Sequence, residues 1–193
     1  SFSNNTGAGT LSLWYLDAGV RDNTISHNTG GGLVLWLSSP ATVEGNTITH
    51  ITAERGGGAE ILYSTLIFRD NTLSANTASG QGGGLYLARS YARLQDNTFS
   101  HNQAEGWGGG GLALDAVDVS LNNDLITDNS TAEHGGGLLA YNDSDIVLRN
   151  VVLADNSAGI QGRALHAEGA RVALQHGTLV NNTGGDGSGI YVE

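Results

Sequence analysis

The chain has 193 residues, among them 30 glycines and one proline, with no cysteine and no methionine; its eight basic residues, all arginine, are set against 19 acidic ones, for a net charge of -11. Carboxylates at that density repel phosphate, which excludes nucleic acid as a partner, and without cysteine there is no disulfide staple, whatever the compartment. The glycine content and the lack of long runs of helix formers exclude helical repeats, and no apolar run is long enough to insert a helix into a membrane.

In chain order, the first element is Phe2 to Asn5, an apolar residue, two polar ones and an asparagine. It returns as Ile25 to Asn28, Leu73 to Asn76, Phe99 to Asn102, Ile126 to Asn129, Leu153 to Asn156 and Leu179 to Asn182, while the copy Ile48 to Ile51 lacks the asparagine. Behind the repeated element come glycine clusters at 30–32, 56–58, 82–84, 109–111 and 135–137, with degenerate copies at Gly162 to Leu165 and Gly187 to Ile190. From Leu33 onward the apolar residue after the cluster recurs every 25 to 27 positions, which is the signature of a solenoid. No linker or composition break interrupts the repeat, so residues 1–193 are expected to form a single domain without evident caps.

Each repeat then resolves into strands. Beyond the glycines the alternation Leu11 and Leu13, Leu33 and Leu35, Ala59 and Ile61, Leu85 and Leu87, Leu112 and Leu114, Leu138 and Ala140, Leu165 and Ala167, Ile190 and Val192 has period two. A second alternation aligns Ala18, Ala41, Leu66, Ala92, Val119, Ile146 and Val172 with Val20, Val43, Phe68, Leu94, Leu121, Leu148 and Leu174. A third strand starts at Ile25, Ile48, Leu73, Phe99, Ile126, Leu153 and Leu179. The expected fold is therefore all-β, a parallel β-helix of about seven coils of three short strands, stacked about 4.8 Å apart around an apolar core. Right-handed winding is expected from the general preference for right-handed crossovers.

The asparagines fit such a stack as ladders, because carboxamides one strand spacing apart hydrogen-bond along it. One ladder is Asn28, Asn76, Asn102, Asn129, Asn156 and Asn182, and a second column holds Asn23, Asn46, Asn71 and Asn97. Glycine at the next corner provides positive φ and close backbone approach.

The pairing of a Gly-Gly-apolar cluster with a Phe-x-x-Asn element, clearest in Phe99-Ser100-His101-Asn102 followed by Gly109-Gly110-Gly111-Leu112, resembles the repeat of polymorphic outer membrane proteins. That resemblance spans nearly the whole chain. It implies a β-helical passenger domain at the cell surface or secreted, bacterial or archaeal, with adhesive or structural roles, and a wider kinship with pectin-lyase-like β-helices, some of which cleave polysaccharides. The chain departs from the surface-passenger pattern in lacking cysteine and an outer-membrane barrel and in carrying triple glycine.

Several columns offer chemistry. Thr24 and Ser26, Thr47 and Thr49, Thr72 and Ser74, Thr98 and Ser100 form a hydroxyl array similar to that of ice-binding solenoids, although Thr and Ser are also ordinary solvated strand residues. His27, His50 and His101 share an outward column, but two adjacent histidines are fewer ligands than a zinc site uses. Asp115, Asp118, Asp143 and Asp145 crowd one corner, where calcium would suit them, and they are the carboxylates best placed to act on a glycan. Apart from that calcium ion no cofactor is expected, and no catalytic residue is assigned.

The ends of the sequence read as core-forming repeat. Phe2, Asn5, Leu11 and Leu13 at one end and Leu179, Asn182, Ile190, Tyr191 and Val192 at the other are the expected assembly interface. Such a contact between copies is heterologous and propagates as a filament. The chain starts at Ser1 rather than Met and is read as a processed protein or a segment of a longer β-helix. The expected function is thus a non-enzymatic, extracellular structural solenoid whose partner is itself, with binding of glycans or a cell surface as the alternative.

Overall fold

In a computed structural model, which describes all residues except Leu16, Ala18 and Gly187, the chain is a parallel β-solenoid, with no helix among the described residues. The coil beginning at Leu85 shows the pattern. A first strand, Leu85–Ala88, turns into a second, Tyr91–Gln95, then a third, Thr98–Ser100, and a fourth of two residues, Gln103–Ala104. Successive coils superpose these strands into four parallel sheets, here called the first to fourth faces, with eight, seven, eight and six strands among the described residues. The sequence predicts three strands per coil. The fourth is only two residues long and mostly polar, as in Thr52–Ala53 and Ser130–Thr131, and two residues are too few to show a period.

The register follows the predicted columns. On the second face Ala41, Leu66, Ala92, Val119, Ile146 and Val172 pair in sequence, as do Val43, Phe68, Leu94, Leu121, Leu148 and Leu174. Ala18, assigned to the first of these columns, lies outside the described residues. The third face pairs Phe2 with Ile25 and continues through Ile48, Leu73, Phe99, Ile126, Leu153 and Leu179. These columns converge on one continuous core in which Phe68 and Phe99 are fully buried, their rings stacked 6.4 Å apart.

The glycine clusters divide their labour. Gly82 takes φ = +67°, a conformation that disfavours a side chain, whereas Gly84 packs so closely on the next coil that a β-carbon would lie 2.7 Å from the Gly111 carbonyl oxygen. The left-handed corner after the third-face strand does without glycine. His27, His50, Ala75, His101, Asp128 and Asp155 all occupy it at φ of 54° to 57°.

One difference from expectation matters for function. Alternation on the first face predicts an outward, solvated side, yet Tyr86, Ala113, Leu139, Tyr141 and His166 are buried there. The segments leading from the fourth face to the next coil fold over this side. The Arg55 guanidinium lies 5.1 Å from the Tyr86 ring centroid, and Trp107 meets Tyr141 edge-on at 4.6 Å. Leu62, Tyr86, Ala88 and Ala113, with Trp36 against them, form a second small apolar cluster separate from the main core.

Candidate functional site

Three polar ladders run along the coil corners. In the first, each asparagine accepts at Oδ1 from both the backbone N–H and the carboxamide of the preceding rung. Asn76 N and Nδ2 donate to Asn102 Oδ1 at 3.0 and 3.1 Å, and Asn102 N and Nδ2 donate to Asn129 Oδ1 at 3.0 Å each. The second carboxamide hydrogen goes to a core-strand carbonyl, from Asn102 to Leu73 O at 2.9 Å. Asn28, Asn129, Asn156 and Asn182 bond in the same sense, and Ile51 interrupts the column, its N–H still donating to Asn76 Oδ1.

The second ladder runs Asn23, Asn46, Asn71 and Asn97 and ends on a residue the sequence reading passed over, Asp124. Asp124 is buried, and burial pushes its carboxyl up to about 7 against the bonds from Asn97 that favour the anion. The third ladder is serine, with Ser38, Ser64, Ser90 and Ser144 buried one coil apart except where Val117 intervenes. Ser64 N donates to Ser90 Oγ at 2.9 Å, and Ser90 Oγ donates back to Ala88 O at 2.8 Å. Their spacing of 26 and 27 residues is visible in the sequence once the coil length is known.

The aspartates predicted to share a cation are spread along a corner. Asp115 accepts from Tyr86 Oη at 2.9 Å and from Asn142 Nδ2 at 2.8 Å. Asp118 and Asp145 are exposed cross-strand partners on the second face, and Asp143 sits in a left-handed turn. No three of them bring ligand oxygens together. Among the described residues the one such group of three is His166, Glu168 and Glu193. His27 and His50 stack face to face at 4.8 Å and 2°, so their in-plane lone pairs run parallel instead of converging.

Other titratable groups gather under the cover of the first face. Burial raises the Tyr86 and Tyr141 hydroxyls, so both are donors at neutral pH, Tyr86 to Asp115 and Tyr141 to Gln81 Oε1 at 3.0 Å. Burial and the neighbouring His134 hold His166 below the usual imidazole range. Glu60, half-buried beside Arg55 at 3.3 Å, is held above the carboxylate range by its partial burial. Sequence reasoning placed none of these, because alternation assigns them to an exposed side.

The second face carries an open groove of about 550 Å³ floored by Leu66 and Ala92, with Ile67 and Tyr91 exposed and Arg93 and Asp118 at its edge. The residues expected at the assembly interface occupy the terminal coils. Phe2, Leu11, Leu13 and Leu179 are partly buried against the core, Ile190 and Val192 are exposed, and Tyr191 points outward with its ring 5.1 Å from that of His166.

The family model described as right handed beta helix region matches residues 1–115 and 69–193, which together cover the whole chain. Comparison with the curated proteins and with the solved structures gave no match.

Proposed function

The chain belongs to the right-handed β-helix family, and from that premise we propose that it is a non-enzymatic structural solenoid whose terminal coils stack head to tail between copies. The observation that carries this reading is the polarity of the asparagine ladder. At one end Asn5 donates its N–H and carboxamide to Asn28 Oδ1 and leaves its own Oδ1 without a partner among the described residues. At the other, Asn182 accepts from Asn156 and donates to Leu153 O, leaving a backbone N–H and one carboxamide hydrogen. Those are the donors and the acceptor that neighbouring rungs exchange inside the stack.

The apolar columns support the same contact. Leu148, Leu165 and Ala167 are 0–1% exposed, but Leu174, Ile190 and Val192, the next residues in those columns, are 38%, 40% and 59% exposed. The repeat's likeness to that of polymorphic outer membrane proteins favours an extracellular or cell-surface setting. Of the four aspartates best placed to act on a glycan, Asp115 is engaged by Tyr86 and Asn142, which leaves Asp118 and Asp145 as the exposed pair.

Sedimentation and negative-stain electron microscopy of the purified chain test the reading. Elongated assemblies are expected, reduced to monomers by Phe2→Asp or Val192→Asp; a monodisperse monomer of the unaltered chain at high concentration overturns it. A second reading, a surface β-helix that binds glycans, rests on the second-face groove, where exposed Tyr91 offers a ring for a sugar beside the polar Arg93 and Asp118. It predicts saturable oligosaccharide binding by the monomer that Tyr91→Ala abolishes.

A further inference from the structure

The covered side of the first face ends in an arrangement that neither ladder nor core explains. His166 is 2% exposed, and its Nδ1 is buried with no hydrogen-bond partner. Buried polar nitrogens are ordinarily paired, so a ring nitrogen without a partner at this depth needs a reason. Glu168, two residues on, projects to the same side of the strand. Glu193 follows Val192, which pairs with Ala167, and its backbone N–H donates to the Ala167 carbonyl at 3.0 Å, which places it beside Glu168 in the next coil. One ring nitrogen of His166 and one oxygen from each carboxylate lie within 4.8 Å of one another.

We propose that His166, Glu168 and Glu193 form a binding site for a divalent first-row transition ion, with zinc as its best occupant. The ring of His166 stacks on Tyr191 at 5.1 Å and 8° and meets His134, tilted by 40°, at 4.7 Å. The parallel stack on Tyr191, with the tilted His134 ring beside it, orients the imidazole and leaves its in-plane nitrogen lone pair free, which is the direction from which an imidazole ligates. Two carboxylates and a neutral imidazole carry a charge of about -2, which a divalent cation neutralises while removing the repulsion between the acids. Three ligands, one nitrogen and two oxygens, leave an open position for water and match a tetrahedral ion. The nitrogen selects against calcium, which takes six to eight oxygens. The carboxylates are exposed and the histidine is buried, so the ion enters from the solvent side.

All three ligands come from one chain, so zinc binding is tested separately from head-to-tail stacking. Untagged full chain is stripped with EDTA, dialysed, and titrated calorimetrically with zinc chloride, then with calcium chloride. The expected result is one zinc per chain and no calcium heat, with affinity falling about tenfold or more in Glu168→Gln and in Glu193→Gln. Both substitutions are isosteric and lie at exposed positions, so the fold is retained, as circular dichroism would verify. His50→Gln, which alters the stacked pair elsewhere, should leave the affinity unchanged. Cobalt(II) in place of zinc should give intense visible bands that both glutamate variants lose. Absence of zinc binding, or binding that survives both glutamate substitutions, overturns the proposal.

Discussion

Asn97 donates both its backbone N–H and its carboxamide to a single oxygen of Asp124, at 2.9 and 2.8 Å, while the other oxygen, Oδ2, is buried and accepts nothing. Every earlier rung of that ladder has an amide nitrogen where Asp124 has Oδ2, and in Asn46, Asn71 and Asn97 that nitrogen donates to the Val20, Val43 and Phe68 carbonyls. By the same register Asp124 would donate to the Leu94 carbonyl if protonated. A neutral carboxyl therefore imitates asparagine, and an ionised one does not.

Stability should depend on pH through this residue. Its folded value, about 7, is raised above the usual carboxylate range, chiefly by burial. Its contribution is fully present below the unfolded value near 4 and is lost as pH rises through about 7, a difference on the order of a few kcal/mol. Asp124→Asn should remove that dependence and raise the melting temperature at pH 8 more than at pH 5. Equal shifts at the two pH values would contradict the assignment.

Removing an interior rung should be far more damaging than its single side chain suggests. Asn102→Ala strands the Asn76 N–H and one of its carboxamide hydrogens, both inside the stack, and removes the carboxamide's bond to the Leu73 carbonyl. With roughly 1–3 kcal/mol for each buried group left unpaired, a loss of about 3–5 kcal/mol is expected in urea unfolding. A serine rung carries less. Ser90→Ala leaves only the Ser64 N–H without its partner and should cost about 1–2 kcal/mol.

The glycine corner gives a paired test. A β-carbon at Gly84 would lie 2.7 Å from the Gly111 carbonyl oxygen, whereas at Gly189 it would meet nothing within 4 Å. Gly84→Ala should therefore lower stability by about 2 kcal/mol or more through coil separation, and Gly189→Ala by no more than about 0.5 kcal/mol. Comparable melting temperatures for the two variants would remove close approach as the reason for the glycines.

The period, the core columns and the first asparagine ladder were legible in the sequence because each recurs in nearly every coil. Asp124 was not, since it stands where an asparagine pattern stops, and only its depth gives it meaning. The covered side of the first face was hidden for another reason. Alternation tells which way Tyr86, Tyr141 and His166 point, but not that Arg55, Trp107 and His134 from the connecting segments lie over them. Long-range cover of that kind leaves no local periodicity. The aspartates show the opposite limit, since nearness in coil number does not gather the ligand oxygens of any three of them.

Ile51 supplies the sharpest test of what a rung is worth. It occupies the ladder position between Asn28 and Asn76, 1% exposed, and above Asn28 no carboxamide is available. Ile51→Asn would forfeit about 2–3 kcal/mol of apolar burial. In exchange its Oδ1 can accept from the Asn28 N–H and carboxamide, and its own carboxamide can reach Asn76 Oδ1 and, by register, the Ile25 carbonyl. Four bonds at about 1 kcal/mol each offset the lost burial, so the variant should unfold within about 1–2 kcal/mol of the parent. Ile51→Ala has no such compensation and should lose about 2–4 kcal/mol. If the asparagine variant is as unstable as the alanine variant, the ladder satisfies buried groups without adding net stability, and its continuity in the other coils reflects register rather than strength.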